Sequence, residues 1–207
     1  EVDIAGEPVI ISRTGFSNEL GWELYLRPEN NCEAIGEKIW QEGQKYNIML
    51  TGTPVFRARR IEAGLLSAGT DFDKSTTPFD VGLGKYVDME KKAFIGRQAL
   101  ETCNKQNKIF GIKVKNGIAK RGRFFSENGN VLGVVTSSTW SPYFECGVGI
   151  IRAQDTDLRI GARLKIIGLD GDLHSAEVCA LPMYDKEAQI VRGNRISVPS
   201  VSCPWSF

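Results

Sequence analysis

An α+β chain whose second half is all β is what the residue pattern of this 207-residue sequence predicts. Three features carry the prediction. A hairpin signature opens the chain, two amphipathic helical patterns follow it, and from Ile109 onward short β-branched runs alternate with turn dipeptides and no further helical pattern. The expected layout is a mixed region over 1–104, a small barrel or sandwich over 105–184, and a tail over 185–207 packed on the barrel.

The hairpin comes first. Val9 to Ile11 is β-branched, Gly15 to Gly21 carries turn chemistry, and Trp22, Leu24 and Leu26 then alternate with Glu23 and Tyr25. Period-2 geometry sends the three apolar side chains toward a core. It leaves the Glu23 carboxylate and the Tyr25 phenol side by side on the opposite face. A carboxylate fixed beside an aromatic ring suits a flat heterocycle with adjacent N–H donors; a strand with a wet outer face has the same pattern. The chain opens Glu1-Val2-Asp3, with no initiator methionine, and reads as a sequence entered partway through.

Pro28 to Asn31 caps an expected helix from about Cys32 to Lys45, with Ile35, Ile39 and Trp40 as its apolar stripe. Thr53 as N-cap and Pro54 at the first helical position announce a second helix through Leu66, burying Ala58, Ile61, Leu65 and Phe56. Arg59 and Glu62 can pair across one turn. Arg57, Arg59 and Arg60 together either clamp an anion or form a solvated face. Ser67 to Lys85 is long, mixed and aperiodic, and its Phe72, Phe79, Val81 and Leu83 make it an expected ordered loop lining something. A short strand at Tyr86 to Asp88 and a short helix entered through Phe94 to Leu100 lead to a polar boundary at Asn104 to Lys108. Strands are then expected at 109–114, 131–138, 146–151, 163–167 and 173–180. Seven basic residues between Lys105 and Arg123, with no acid among them, offer a patch for an anionic tail or acidic partner, or a solvated barrel face.

Composition excludes several classes. A net charge of +1 gives no general attraction to nucleic acid. Five widely spaced cysteines without C-x-x-C speak for reduced thiols, a cytoplasmic setting, and no zinc site or disulfide framework. His174, the one histidine, has no nucleophile near it in sequence and reads as structural. No apolar run approaches the roughly 20 residues of a membrane span, and no signal-peptide pattern is present.

R-T-G-F-S-N-E-L-G-W-E-L-Y at Arg13 to Tyr25 resembles the R-T-G-Y-T-G-E-D-G-F-E-I-Y hairpin of the glycine cleavage T-protein (aminomethyltransferase) family. R-I-E-A-G-L-L at Arg60 to Leu66, T-T-P-F-D-V-G-L-G at Thr76 to Gly84, F-I-G-R at Phe94 to Arg97, T-S-S-T-W-S-P at Thr136 to Pro142 and L-P-M-Y at Leu181 to Tyr184 are similar to further landmarks, in order and spacing. The resemblance implies the second part of that family's folate-binding lobes followed by its all-β C-terminal barrel. It implies tetrahydrofolate as one-carbon acceptor, with Glu23 accepting hydrogen bonds from the pterin ring and Tyr25 walling the pocket. Phe16, Arg57 and Lys85 complete the implied cofactor-binding set, and no metal is called for.

Two departures matter. Phe56 stands where the family has a folate-contacting arginine, with Arg57 one step and about 100° round the helix, and Lys85 replaces the tryptophan of G-L-G-W. Both set the chain apart from a true glycine-cleavage enzyme, while Gly52 to Pro54, R-I-E-A-G-L-L-S at Arg60 to Ser67 and the D-F-D loop with Lys85 resemble the demethylase branch, typified by dimethylsulfoniopropionate demethylase. The implied function is one-carbon transfer to folate from a small amine or sulfonium donor. The alternatives are aminomethyl transfer from an acidic lipoylated carrier protein, or folate binding without turnover. The family's assisting aspartate belongs to a half not present here, so no catalytic residue is assigned and the chain alone is expected to be inactive.

Overall fold

The structure, a computed structural model, describes residues 1–154 and 157–195. They form two compact units, one of Glu1–Phe56 with residues 188–195, the other of Arg57–Glu187.

In the first unit β1 (Val2–Ile4), β2 (Glu7–Ser12) and β3 (Glu23–Tyr25) make a three-stranded antiparallel sheet in that order. The register sets Ile10 opposite Tyr25, Ile11 opposite Leu24 and Ser12 opposite Glu23. The expected hairpin is therefore present, with residues 13–22 as its tip. Its apolar side chains are not buried as expected: Trp22 is 56% exposed, Leu24 39% and Leu26 39%, while Val9 on β2 is fully enclosed. β3 is only three residues long and, among the described residues, an edge strand paired on one side alone. Helix α1 (Cys32–Gly43) starts at Asn31, whose side chain accepts from the Ala34 amide at 3.1 Å. A 3₁₀ turn, Gln44–Tyr46, ends it. Ile35 is buried and Trp40 is exposed, so the predicted stripe is only partly used.

Helix α2 (Thr53–Glu62) contains the division between the units. Ala58 and Ile61 are buried as expected and Phe56 is exposed. Gly84–Tyr86 is a 3₁₀ turn where a short strand was expected, and α3 (Arg97–Thr102) fulfils the short-helix expectation.

Beyond α3 six strands close into an antiparallel barrel of order β4-β7-β6-β5-β8-β9, with β9 returning to β4. They are β4 (Ile109–Val114), β5 (Ala119–Phe125), β6 (Val131–Ser141), β7 (Cys146–Ala153), β8 (Arg163–Gly168) and β9 (Leu173–Cys179). The sequence pattern predicts five of them and misses β5, because Lys120, Arg121 and Arg123 hide its alternation and only Ala119 and Phe124 turn inward. Ile112, Val114, Phe124, Ile151, Leu164, Ile166 and Val178 fill the interior. Burial pushes the Cys179 thiol up to about 12, so it stays protonated and inert at neutral pH.

Buried polar contacts fix the C-terminal part of α2 and the loop after it within the second unit. Asp71 is fully enclosed. Its Oδ2 accepts from Arg60 at 2.7 Å and from the Ser67 amide at 2.9 Å. Its Oδ1 accepts from the Thr136 and Ser137 hydroxyls, both at 2.6 Å. Successive strand residues normally point to opposite faces. Here the register shifts between Val135 and Ser137, a bulge at Thr136 that aims two neighbouring hydroxyls at one oxygen. A second cluster joins Glu62 to Arg59 and Ser141, and Arg59 to Tyr184. The Met183 amide donates to the Glu62 carbonyl at 2.7 Å. Arg59 and Arg60 thus neither clamp an external anion nor form a solvated face.

Residues 188–195 group with the first unit, where the Val191 carbonyl accepts from Arg13. Residues 196–207 lie outside the described residues.

Lys108, at the mouth of β4, reaches Asp80 Oδ1 at 2.8 Å, and Thr77 donates to Asp80 Oδ2 through its amide and hydroxyl. Burial pushes the Asp80 carboxyl up, but Lys108 and Thr77 outweigh it and hold it below its ordinary 3.8. A depressed carboxyl stabilises the fold above its unfolded value and loses that contribution as pH falls through the folded value. The stability lost on Lys108→Met should therefore be largest near neutrality and shrink as pH drops below 3.8. Urea midpoints between pH 7 and 3 would reveal a pH-independent gap if the pair contributed nothing.

Candidate functional site

The face of β2 and β3 that carries Ser12, Glu23 and Tyr25 is the candidate. Ser12 and Glu23 are directly opposed, and Tyr25 lies two residues along on the same face. The Tyr25 hydroxyl donates to Glu23 Oε2 at 3.0 Å, and the Thr14 hydroxyl donates to the same oxygen. Thr14 and Ser12 hydroxyl oxygens are 3.1 Å apart. A hydroxyl has one proton, and the charged acceptor takes it, so Ser12 donates to Thr14 and Thr14 to Glu23. Glu23 Oε2 is thereby fixed by two neutral donors. Oε1 accepts no hydrogen bond among the described residues, on a side chain that is only half-buried.

This is a carboxylate held in orientation with one oxygen left open. Its chemistry is that of an acceptor for N–H donors of a bound molecule, and the half-exposed Tyr25 ring beside it offers a flat apolar surface. The residue pattern alone does not single out Thr14. The signal for it was in the register: once Ser12 opposes Glu23, the residue two beyond Ser12 falls on the same face.

The other expected site residues are placed as follows. Phe16 sits in the hairpin tip, 42% exposed. Arg57, in the other unit, is exposed on α2 and has no hydrogen-bond or ion-pair partner among the described residues. Lys85, also in that unit, is exposed with its ammonium 5.0 Å from the Tyr86 ring centre. Within its unit, then, the structure brings Glu23 and Tyr25 together and adds Thr14 and Ser12.

Of the basic run, Lys108 is paired with Asp80, Lys105 lies over Phe79 and Lys113 over Phe144, while Lys120, Arg121 and Arg123 are exposed along β5. His174 is hydrogen-bonded to Asp170 at 2.8 Å. Among the described residues there is no cluster of three or more potential metal ligands and no helix long and apolar enough to cross a membrane.

Residues 1–91 match the family model of the GCVT N-terminal domain, and residues 107–185 match that of the glycine cleavage T-protein C-terminal barrel domain. An aminomethyltransferase of Halothermothrix orenii is 36% identical over 151 residues, which is 71% of this chain and 42% of that protein. A trimethylamine-oxide aldolase of Ruegeria pomeroyi is 31% identical over 195 residues, 92% of this chain and 25% of that protein. The crystal structure of glycine cleavage system aminomethyltransferase T from Bartonella henselae is similar with a TM-score of 0.74 at 29% identity, over 85% of this chain and 50% of that one. The chain spans half or less of the length of each of these relatives.

Proposed function

The chain belongs to the glycine cleavage T-protein family, and on that premise we propose that it is part of a tetrahydrofolate-dependent one-carbon transferase whose donor carbon is carried by an amine or a sulfonium. The observation that supports this reading is the open Oε1 of Glu23, on a carboxylate whose other oxygen Thr14 and Tyr25 already hold. A guanidine-like ring edge presents adjacent N–H groups to such an acceptor. Each charge-assisted bond is worth roughly 1.5–3 kcal/mol. Tetrahydrofolate, when bound, supplies the acceptor for the one-carbon unit. The part of this chain is to orient and to exclude water: Glu23 accepts from the ring edge, and Tyr25 and Phe16 offer it aromatic surface. Arg57 and Lys85 stay in the proposed set on the strength of their positions in the family's motifs. No residue of the chain is assigned a catalytic proton transfer.

Glu23→Ala in the full-length protein should weaken tetrahydrofolate binding by roughly 10- to 100-fold, measured by titration calorimetry. A change within about threefold would remove Glu23 from the site. Phe56 and Lys85 favour a small methylated donor over a carrier protein. Turnover of a sulfonium or methylated amine with tetrahydrofolate is the expected result.

A second reading, aminomethyl transfer from an acidic lipoylated carrier, is favoured by the aminomethyltransferases among the relatives. Strict dependence on such a carrier, lost when Lys120, Arg121 and Arg123 are changed to glutamate, would select it. Tight folate binding with no turnover under either condition would identify a binding protein instead.

A further inference from the structure

The segment after Glu187 lies beyond the matched barrel domain, which ends at residue 185, and nothing so far gives it a role. We propose that residues 188–195 clasp the hairpin tip through Arg13, holding the Glu23 carboxylate in its ligand-ready orientation. The affinity part of this proposal rests on the folate reading above; the clasp itself does not.

The tip needs such a device. Between Ser12 and Glu23 ten residues have no ladder partners among the described residues, and Phe16, Leu20 and Trp22 among them are exposed. Arg13 closes this loop on itself and ties it to the distant segment at once. One guanidinium nitrogen donates to the Gly21 carbonyl at 3.1 Å, across the tip, and the other donates to the Val191 carbonyl at 2.9 Å. The same group lies 4.9 Å from the centre of the Trp22 ring. A planar fork with donors at a fixed angle can hold two carbonyls and stack; an ammonium is a single point charge and cannot do all three.

The receiving segment is itself ordered as a turn. The Gly193 amide donates to the Ile190 carbonyl and the Asn194 amide to the Gln189 carbonyl, both at 2.9 Å. The Asn194 side chain donates to Gln189 Oε1 at 2.9 Å, and Ile190 is buried. Gly193 has φ +75° and its backbone lies close against the tip, where a Cβ would stand 3.5 Å from Leu20 Cδ1. The link to the site is one peptide long, because Thr14, which donates to Glu23, follows Arg13 directly. Arg13 is thus a positioning residue: it fixes Thr14, and Thr14 fixes the carboxylate before a ligand arrives, which lowers the cost of binding.

Hydrogen exchange and tetrahydrofolate titration on the full-length protein, on Arg13→Lys and on a form ending at Glu187 test this. Peptides spanning 12–25 should exchange about tenfold faster in both variants while barrel peptides spanning 109–153 stay unchanged, and affinity should fall about tenfold in parallel. Unchanged exchange at the hairpin in both variants overturns the clasp. Faster exchange with unaltered affinity overturns its control of the ligand. Absence of folate binding by the unmodified protein defeats the Glu23 reading alone, and the exchange result then decides the clasp by itself.

Discussion

Asp71→Ala is expected to destabilise the barrel unit by roughly 3–5 kcal/mol, the cost of stranding a buried charge. The Asp71 carboxylate is the sole ion-pair partner of Arg60 among the described residues, at 2.7 Å, on a side chain only 11% exposed. Removing it leaves the guanidinium, the Ser67 amide and the Thr136 and Ser137 hydroxyls competing for fewer acceptors. The measurement is the urea midpoint at unchanged slope. A discriminating companion is the double variant Arg60→Met with Asp71→Leu. It removes both charges together and should recover most of the loss, since an apolar pair of similar volume often equals or exceeds a buried ion pair. A loss below about 1 kcal/mol in the single variant would mean that water reaches Arg60 and that the pair is not enclosed.

Gly147→Ala is the second large effect. Gly147 sits between Val114 of β4 and Trp140 of β6 in the closed barrel. A Cβ there would stand 1.9 Å from the Gly117 carbonyl oxygen and 3.1 Å from Val114 Cβ. The first obstacle is backbone, which no rotamer change can clear, so β7 or the β4–β5 turn must move. The expected loss is about 3 kcal/mol or more, at or above the top of the usual overpacking range. Gly36→Ala is the control of opposite sign. Its Cβ meets nothing within 4 Å on α1, and exchanging glycine for alanine inside a helix should stabilise by about 0.5–1 kcal/mol. If both substitutions moved the midpoint equally, the close approach at Gly147 would be wrong.

Much of this was legible because local rules and the fold agree. The period-2 run around Glu23 located the hairpin and set Glu23 beside Tyr25, and Thr53-Pro54 marked the start of α2. What escaped depends on contacts distant in sequence. Arg59 and Arg60 look like any surface pair until Asp71, Ser137 and Tyr184 arrive from up to 125 residues away. The bulge at Thr136 cannot be read from T-S-S-T-W-S, yet it turns that motif into an anchor for Asp71. Several landmarks that carry the family resemblance prove to be the parts that bind α2 and its loop to the barrel: Arg60 and Glu62, Thr136 and Ser137, Met183 and Tyr184. The expected burial of Trp22, Leu24 and Leu26 failed for a related reason. Alternation tells which residues share a face, and says nothing of whether anything covers that face.

The closed barrel and the three-stranded sheet differ in their exposure to self-association. Each of the six barrel strands has two hydrogen-bonded neighbours, whereas among the described residues β1 and β3 each present a free edge, flanked by exposed Val2, Leu24 and Trp22. Unpaired edges with apolar flanks are templates for intermolecular pairing. Under mild destabilisation, oligomers and fibrils of this chain should therefore nucleate at Val2–Ile4 and Glu23–Tyr25, while the barrel stays out of the aggregate core.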